Sequence, residues 1–231
     1  MREDNTEIRL YPELDPEEKS RVLDAVQLLI NLFWSWETSQ DWLNRLQESR
    51  RVWSSLQGII HPGPEQVLYL IDEIQPSSPG EQLNQELESE FVRIFISTRE
   101  GISAPMYHSC FQGSDQVLMQ RPAQAMRERL EQAGVEIAEH LGEPPDHLCI
   151  ELEYLYLLLE LELREPSPDI HQELADFAGN FMLPWIKKFR AQIPETNKAA
   201  FFAHTAQAMQ DLLEFLGREN TSLNSAEQNK A

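Results

Sequence analysis

Residues 146–163 read DHLCIELEYLYLLLELEL, and the helical class of the fold follows from this segment. Its apolar residues fall on nearly every side of a helix with 3.6 residues per turn, a pattern typical of a helix that is buried on several faces. Asp146 is the predicted N-cap of this helix. Four glutamates interrupt the apolar pattern, and we expect them to emerge at the edge of a groove: Glu151, Glu153, Glu160 and Glu162.

Helical periodicity continues on both sides of this stretch. Asp15-Pro16-Glu17-Glu18 predicts a helix N-terminus, because an N-cap residue, a first-turn proline and a glutamate three residues after the cap follow in order. Further helices are predicted over about 40–58, 65–74, 81–95, 122–134, 169–193 with a kink at Pro184, and 195–216. The sequence has no strand–turn–strand pattern. The predicted fold class is therefore all-α, a single helical bundle of about nine to eleven helices.

The remaining stretches are predicted to be loops and a tail. Residues 98–120 form an aromatic-rich loop, residues 76–80 a linker, and the polar residues 218–231 a disordered tail. Cys110 and Cys149 have apolar neighbours and are expected to be buried free thiols. Because the N-terminus lacks a signal-peptide pattern and no stretch suits a bilayer, we expect a cytoplasmic protein without membrane insertion.

The chain is strongly acidic, with 19 Lys and Arg against 39 Asp and Glu and a formal net charge of −20. Nucleic acid is not expected as a partner, since phosphate binding needs a basic surface. Residues 131–165 contain ten acids and one arginine, and residues 72–90 contain six acids and no base. Two interpretations stay open: a solvated acidic face, or a docking field for a basic segment.

Enzyme signatures are missing from the sequence. It contains no glycine-rich phosphate loop, no His-Glu-x-x-His, no Gly-x-Ser-x-Gly and no Cys-x-x-Cys. One grouping looks metal-like but fits no established ligand spacing, and an acidic face explains it better: Glu136, Glu139, His140, Glu143 and His147. We therefore expect no catalytic residues and no metal site.

Four motifs follow one another over about residues 85–190. They are Glu90-Phe91-Val92-Arg93-Ile94-Phe95, Pro105-Met106-Tyr107-His108-Ser109-Cys110-Phe111, the most specific one, Glu143-Pro144-Pro145-Asp146-His147-Leu148-Cys149-Ile150-Glu151-Leu152-Glu153, and Phe181-Met182-Leu183-Pro184-Trp185-Ile186-Lys187-Lys188-Phe189. Together they resemble the TorD family of molybdoenzyme maturation chaperones, which includes the DmsD and NarJ branches. Phe181 departs from the family pattern, which often has histidine there, and His108 stands where one loop variant has glycine.

The resemblance implies a chaperone and not an enzyme. Members of the family bind the apo catalytic subunit of a molybdopterin oxidoreductase, often with its basic N-terminal twin-arginine leader, and assist cofactor insertion and assembly before export. No cofactor of the chaperone's own is implied, and only the family suggests a weak contact with GTP or with the molybdopterin cofactor. Recognition of such a leader needs carboxylates beside a hydrophobic groove.

Transferred residue by residue, the resemblance implies a site that binds the client or its leader. Its candidate residues are Phe91, Ile94, Phe95, Tyr107, Phe111, Asp146 and His147. A structural interpretation stands beside this one, because Phe91, Ile94 and Phe95 have the spacing of a helix face that packs in a core. Capping could likewise explain Asp146, and Trp185 is expected in the core.

In the family, the third motif joins two helical parts. We therefore expect an N-terminal part over residues 1–142, a C-terminal part over 143–217, and a hinge formed by Glu143, Pro144 and Pro145. The protein is then a monomer or a domain-swapped dimer. Two alternative functions stay open, a charge-driven acidic binding scaffold and a nucleotide-binding or nucleotide-hydrolysing protein.

Overall fold

The computed structural model of the chain describes residues 9–34, 41–60, 63–74, 80–96, 102–112, 121–137 and 142–218. Within these ranges every regular element is a helix, and one isolated antiparallel bridge joins Tyr107 to His147. The all-α prediction is thus confirmed. The predictions for residues 76–79 and for the tail beyond residue 218 lie outside the described residues.

The helices follow the predicted order along the chain. The α-helices are α1 (Pro16–Phe33), α2 (Trp42–Ser55), α3 (Pro64–Ile74), α4 (Gly80–Phe91), α5 (Arg121–Gln132), α6 (Leu148–Arg164), α7 (Pro168–Asp176), α8 (Leu183–Gln192) and α9 (Ala199–Leu216). Short 3₁₀ turns lie at Tyr11–Glu13 and His108–Phe111, and π-helical turns at Val92–Ile96 and Phe177–Met182.

The start of α1 confirms the predicted capping pattern. The Asp15 carboxylate accepts a hydrogen bond from the Glu18 backbone N–H at 2.9 Å, and the Glu18 carboxylate accepts one from the Asp15 N–H at 3.0 Å. These two bonds satisfy N–H groups that a helix N-terminus otherwise leaves without partners.

α6 occupies the interior, as its apolar pattern predicts. It packs mainly against α1, and Leu148, Leu152 and Leu155 are fully buried. Beside this contact, aromatic rings from five helical elements form a cluster around Phe95, whose ring centroid lies 5.1 Å from that of Phe91 and 5.6 Å from those of Phe33 and Phe202. The division into two helical parts at residue 143 stays a prediction. α1 from the first expected part and α6 from the second pack against each other.

The break predicted at Pro184 is a π-helical turn. Phe177–Met182 connects α7 to α8, and Pro184 lies in the first turn of α8. Since proline has no N–H to donate to the preceding turn, a wider turn ahead of it is physically consistent. At this turn Gly179 approaches Gly217, at the end of α9, so closely that a Cβ atom on Gly217 would lie 2.6 Å from Gly179 Cα.

Cys110 and Cys149 are buried thiols that form no disulfide, as predicted. Burial raises the pKa of both thiols. None of the helices in the described part of the chain has the length and apolarity that a bilayer span requires.

Candidate functional site

The second and third motifs meet in space. The Leu148 N–H donates to the Met106 carbonyl at 2.8 Å, and the His108 N–H donates to the Asp146 carbonyl at 3.0 Å. Residues 102–112 are therefore joined by backbone hydrogen bonds to the segment that leads into α6. This junction brings Tyr107, Asp146 and His147 close to the hinge residues Glu143 and Pro144.

Asp146 fixes the loop and does not cap α6. Its side chain is fully buried, and its Oδ2 atom accepts hydrogen bonds from the Ser109 N–H at 2.8 Å and from the Ser109 hydroxyl. Its Oδ1 atom is buried and has no hydrogen-bond partner among the described residues. Because the carboxylate is turned toward Ser109, the prediction that Asp146 is the N-cap is wrong by one residue.

His147 is the N-cap of α6. Its Nδ1 atom accepts a hydrogen bond from the Cys149 N–H at 3.2 Å, and its ring packs edge-on against Trp34 and Tyr107 at centroid distances of 5.6 and 5.1 Å. Burial lowers the pKa of this histidine to about 4, although Glu143 opposes the shift. The ring is consequently neutral at pH 7, which it must be to accept a hydrogen bond through Nδ1.

Tyr107 and Glu143 form the partly exposed side of this junction. The Tyr107 hydroxyl donates to Glu143 Oε2 at 2.8 Å, and both side chains are only partly buried. Burial, with the nearby Glu143 carboxylate, raises the pKa of Tyr107. Pro144 is also partly exposed, whereas Pro145 is buried. Tyr107 and Glu143 therefore present a phenol and a carboxylate at the surface, next to the buried Asp146 and His147.

Glu151 is buried, which corrects the expectation that it emerges at a groove edge. It has no exposed surface, its Oε1 atom lies 3.0 Å from His108 Nδ1, and its Oε2 atom accepts from the Trp185 indole N–H at 2.9 Å. Burial raises the pKa of the Glu151 carboxyl well above its usual range and lowers the pKa of His108 to about 4. A neutral pair thus joins the second, third and fourth motifs.

Sequence reasoning missed this polar link. The signal available was the position of Glu151 one turn after Leu148 and one turn before Leu155, on a stripe that is otherwise apolar. A carboxyl in such a stripe needs a buried partner, and the partner had to come from another motif.

Phe181 takes part in the same cluster where the family often has histidine. Its ring centroid lies 4.9 Å from that of His108, and the Arg129 guanidinium makes a cation–π contact with the same ring, 4.7 Å from its centroid. Arg129 is in turn held by Glu173 and Asp176 at 3.1 and 3.2 Å. Position 181 therefore acts here through packing.

The other apolar candidates are buried. Phe91, Ile94, Phe95 and Phe111 have at most 6% of their surface exposed, and the first three belong to the interior of the bundle. Val92 and the following Ile96 are 39% and 41% exposed, and the same side of the first motif carries Arg93, which pairs with Glu90 at 2.6 Å. The assignment of the four buried residues to client binding stays a prediction.

The acidic stretches are only partly at the surface. Asp146, Glu151 and Glu162 are buried and add nothing to a surface rim. An open cleft of about 770 Å³ lies between α3, α4 and the turn before α9; its lining includes Glu73, Glu90 and Lys198, and Lys198 pairs with Glu86 at 3.6 Å. Among the residues that the structure describes, no group of His, Cys, Asp and Glu is arranged to hold a metal ion.

Comparisons with known proteins agree with one another. The sequence model of the family described as nitrate reductase delta subunit matches residues 49–191. A chaperone protein TorD of Vibrio parahaemolyticus is 27% identical over 144 residues, which cover 61% of this chain and 66% of the relative. A chaperone protein TorD of Vibrio vulnificus is 31% identical over 122 residues, covering 51% of this chain and 56% of the relative.

The matches to the curated relatives thus span just under two thirds of the relatives' own length. A solved structure from Archaeoglobus fulgidus, of a protein ascribed to redox enzyme maturation, aligns with 89% of this chain and 98% of that one. Its identity is 19% and its TM-score 0.43.

Proposed function

Because this chain belongs to the nitrate reductase delta subunit family, the TorD and NarJ family that its motifs resemble, we propose that it is a molybdoenzyme maturation chaperone. It binds the apo catalytic subunit of a molybdopterin oxidoreductase, or its basic N-terminal leader, in the cytoplasm. Binding assists cofactor insertion and assembly before export. The proposed role is one of binding, without catalysis and without a resident cofactor.

The observation that carries this proposal is the extent of the family match. It covers residues 49–191 and therefore includes all four motifs, from Glu90 to Phe189. The contacts among those motifs support it further. One buried hydrogen bond joins Ser109 to Asp146, and a second buried group joins Glu151 to His108 and Trp185. Residues that define the family are used here to hold one loop against one helix.

We place the proposed client contact at the surface that this buried group supports. Tyr107 and Glu143 are its partly exposed members, followed by the partly exposed Pro144 and the buried Pro145 of the hinge. Asp146 and His147 then act from beneath, by fixing the loop and the start of α6. Phe91, Ile94, Phe95 and Phe111 complete the proposed site as its apolar backing, with Val92 and Ile96 on the solvent side.

The acidic surface supports a basic ligand. A leader with paired arginines needs carboxylates that face solvent, and Glu143 offers one beside the Tyr107 ring. The cleft between α3 and α4 adds Glu73 at its lining, whereas its Glu86 and Glu90 are already paired with Lys198 and Arg93. Long-range attraction by such a field speeds encounter, while the apolar contacts set specificity.

The experiment that tests the proposed site is a binding titration with the purified apo catalytic subunit. Tyr107→Ala combined with Glu143→Ala should weaken binding by about tenfold to a hundredfold, as expected when an aromatic anchor and a charged partner are lost together. Tyr69→Ala combined with Glu165→Ala is the matched control, since it removes the same two residue types elsewhere on the surface. Equal affinities for the two double variants would refute the site.

A further inference from the structure

A second concave surface lies between the end of α5 and the first turns of α6. It encloses about 350 Å³, within the range of roughly 300–1,000 Å³ that is usual for ligand pockets. Its lining is mainly apolar and comes from Leu130, Val135, Ile137, Ile150, Tyr154 and Leu157. None of these residues belongs to the proposed Tyr107–Glu143 surface.

The shape of this pocket follows from how α5 ends. The Val135 N–H donates to the Leu130 carbonyl at 2.9 Å, the Gly134 N–H donates to the Glu131 carbonyl at 3.1 Å, and Gly134 has a φ of +67°. These are the bonds of a Schellman motif, which turns the chain back at a helix C-terminus. The turn carries residues 135–137 across from α6 and so makes one wall of the pocket.

The opposite wall is held by α6. Ile150 is buried, and the Tyr154 hydroxyl donates to Glu173 at 3.2 Å, which fixes the ring. Val135 stays 38% exposed although the Schellman turn usually covers the residue at this place. An apolar side chain at the mouth of an apolar pocket is a surface that another apolar side chain can cover.

The rim of the pocket is acidic. Glu136 and Glu153 complete its lining, which contains no Lys or Arg. Both glutamates are exposed, and no hydrogen bond or ion pair engages either carboxylate among the described residues. The apolar wall desolvates the Glu153 carboxyl and raises its pKa, as expected where no cation lies beside it.

We infer that this pocket binds an apolar side chain of a cationic peptide segment, with Glu136 and Glu153 pairing with the basic residues that flank it. The charge of the rim and the apolar lining together select this occupant, since an acidic or neutral polar segment would satisfy neither. The inference rests on the proposed function only for the source of the peptide, a cationic segment of the client. It adds a second contact to the one at Tyr107 and Glu143.

The test uses the full chain and a fluorescein-labelled synthetic peptide that has a leucine between two arginines. Fluorescence anisotropy measures its affinity, and two comparison peptides replace the leucine by serine or both arginines by citrulline. The double variant Glu136→Gln with Glu153→Gln should bind the arginine peptide about tenfold more weakly than the wild-type chain does. Its affinity for the citrulline peptide should be unchanged. Val135→Ser should lower the affinity for the leucine peptide and leave the affinity for the serine peptide unchanged.

Matched controls are available in the chain. Glu131→Gln with Glu165→Gln makes the same change in net charge on the same two helical regions, outside the pocket lining, and should leave the affinity unchanged. Tyr69→Ser removes an exposed apolar side chain from α3, outside both the pocket and the proposed client contact, and should also leave the affinity unchanged. Folding of each variant is checked by its circular dichroism spectrum and melting temperature.

Several results would overturn the inference. It fails if the wild-type chain does not bind the peptide, if the control variants weaken binding as much as the pocket variants, or if leucine and serine peptides bind equally. It also fails if Val135→Ser changes self-association and not peptide affinity, because the occupant is then a second copy of the chain.

The two proposals can fail separately. Suppose that the double variant Glu136→Gln with Glu153→Gln binds both the apo subunit and the peptide with the affinity of the wild-type chain. The pocket assignment is then wrong, and the proposed function is unaffected. If the peptide responds as expected but the apo subunit does not bind the wild-type chain, the pocket stands and the proposed function falls.

Discussion

Asp146 shows how one residue of a family signature can hold a fold together. Its buried carboxylate accepts two hydrogen bonds from Ser109, which lies on a loop 37 residues earlier in the sequence. Hydrogen bonds to a charged group contribute about 1.5–3 kcal/mol each, more than neutral ones. The residue therefore acts first on stability, and it would affect the proposed client contact only through the loop that it positions.

Asp146→Ala should lower the free energy of unfolding by about 3 kcal/mol, because both hydrogen bonds from Ser109 lose their acceptor. Urea denaturation measures the loss. Asp24→Ala is the control, since Asp24 is an exposed aspartate whose nearest ion-pair partner, Arg51, is 4.0 Å away. A change of less than about 0.5 kcal/mol for Asp146→Ala would contradict this account.

His147 makes a distinct prediction about pH. Its pKa falls from the model-compound value of 6.5 to about 4 in the folded chain, so between these values the unfolded chain binds more protons at this residue. Its contribution to stability is complete above pH 6.5 and is lost as the pH falls toward 4, at about 1.4 kcal/mol per pH unit.

His147→Gln should therefore reduce the slope of the unfolding free energy with pH between pH 6.5 and 4, because about one proton fewer is taken up on unfolding. Glutamine keeps an oxygen that can accept from the Cys149 N–H, so the cap is preserved. His108→Gln should have the same effect independently, since burial also lowers the pKa of His108 to about 4. An unchanged slope in both variants would show that the two rings are not kept neutral by burial.

At the scale of elements, the sequence predicts helices well and their junctions poorly. Local patterns sufficed for α1, whose capping residues and apolar face lie within the helix itself. The buried position of Glu151 could not be predicted in the same way, because its partners His108 and Trp185 lie 43 and 34 residues away. The one-residue error at the start of α6 has the same origin, since Ser109 competes for the Asp146 carboxylate.

The crossing of α9 with the π-helical turn depends on two glycines. Gly217 has a φ of −77°, which any residue can adopt, so a substitution there tests packing and not backbone strain. A Cβ atom at this position would meet the Gly179 backbone at 2.6 Å. Contacts with backbone cannot relax by rotation of a side chain.

Gly217→Ala should accordingly destabilise the chain by about 1–3 kcal/mol, as overpacking usually does. Thermal or urea unfolding measures the effect. Gly80→Ala serves as the control, because its Cβ atom would approach only the end of the Leu43 side chain, at 3.2 Å. If Gly217→Ala is as stable as Gly80→Ala, the two elements do not cross as closely as described.

In the whole molecule, which has a net charge of −20, the acidic side chains differ in whether they are buried or face solvent. Some of the acids of residues 131–165 are buried and structural, whereas Glu136, Glu143 and Glu153 face solvent or lie at its edge. Apolar surface accompanies the exposed acids at both proposed contacts. A binding surface of this kind should depend on salt only in part.

Raising the salt concentration from about 0.1 M to about 1 M shortens the Debye length from about 10 Å to about 3 Å. We expect the affinity for the apo subunit to fall by about tenfold and then level off, since the apolar contacts persist. Isothermal titration calorimetry at several salt concentrations measures this. Complete loss of binding at high salt, with full tolerance of Tyr107→Ala, would favour the alternative of a charge-driven acidic scaffold.

A maturation chaperone, as proposed for this chain, must distinguish its client before cofactor insertion from the same client afterwards. The most direct measurement is a calorimetric titration of the purified chain with the same catalytic subunit in its apo and its cofactor-loaded form. We predict binding of the apo subunit and at least about tenfold weaker binding of the loaded one. Equal affinity for the two forms, or no binding to either, would contradict the claim.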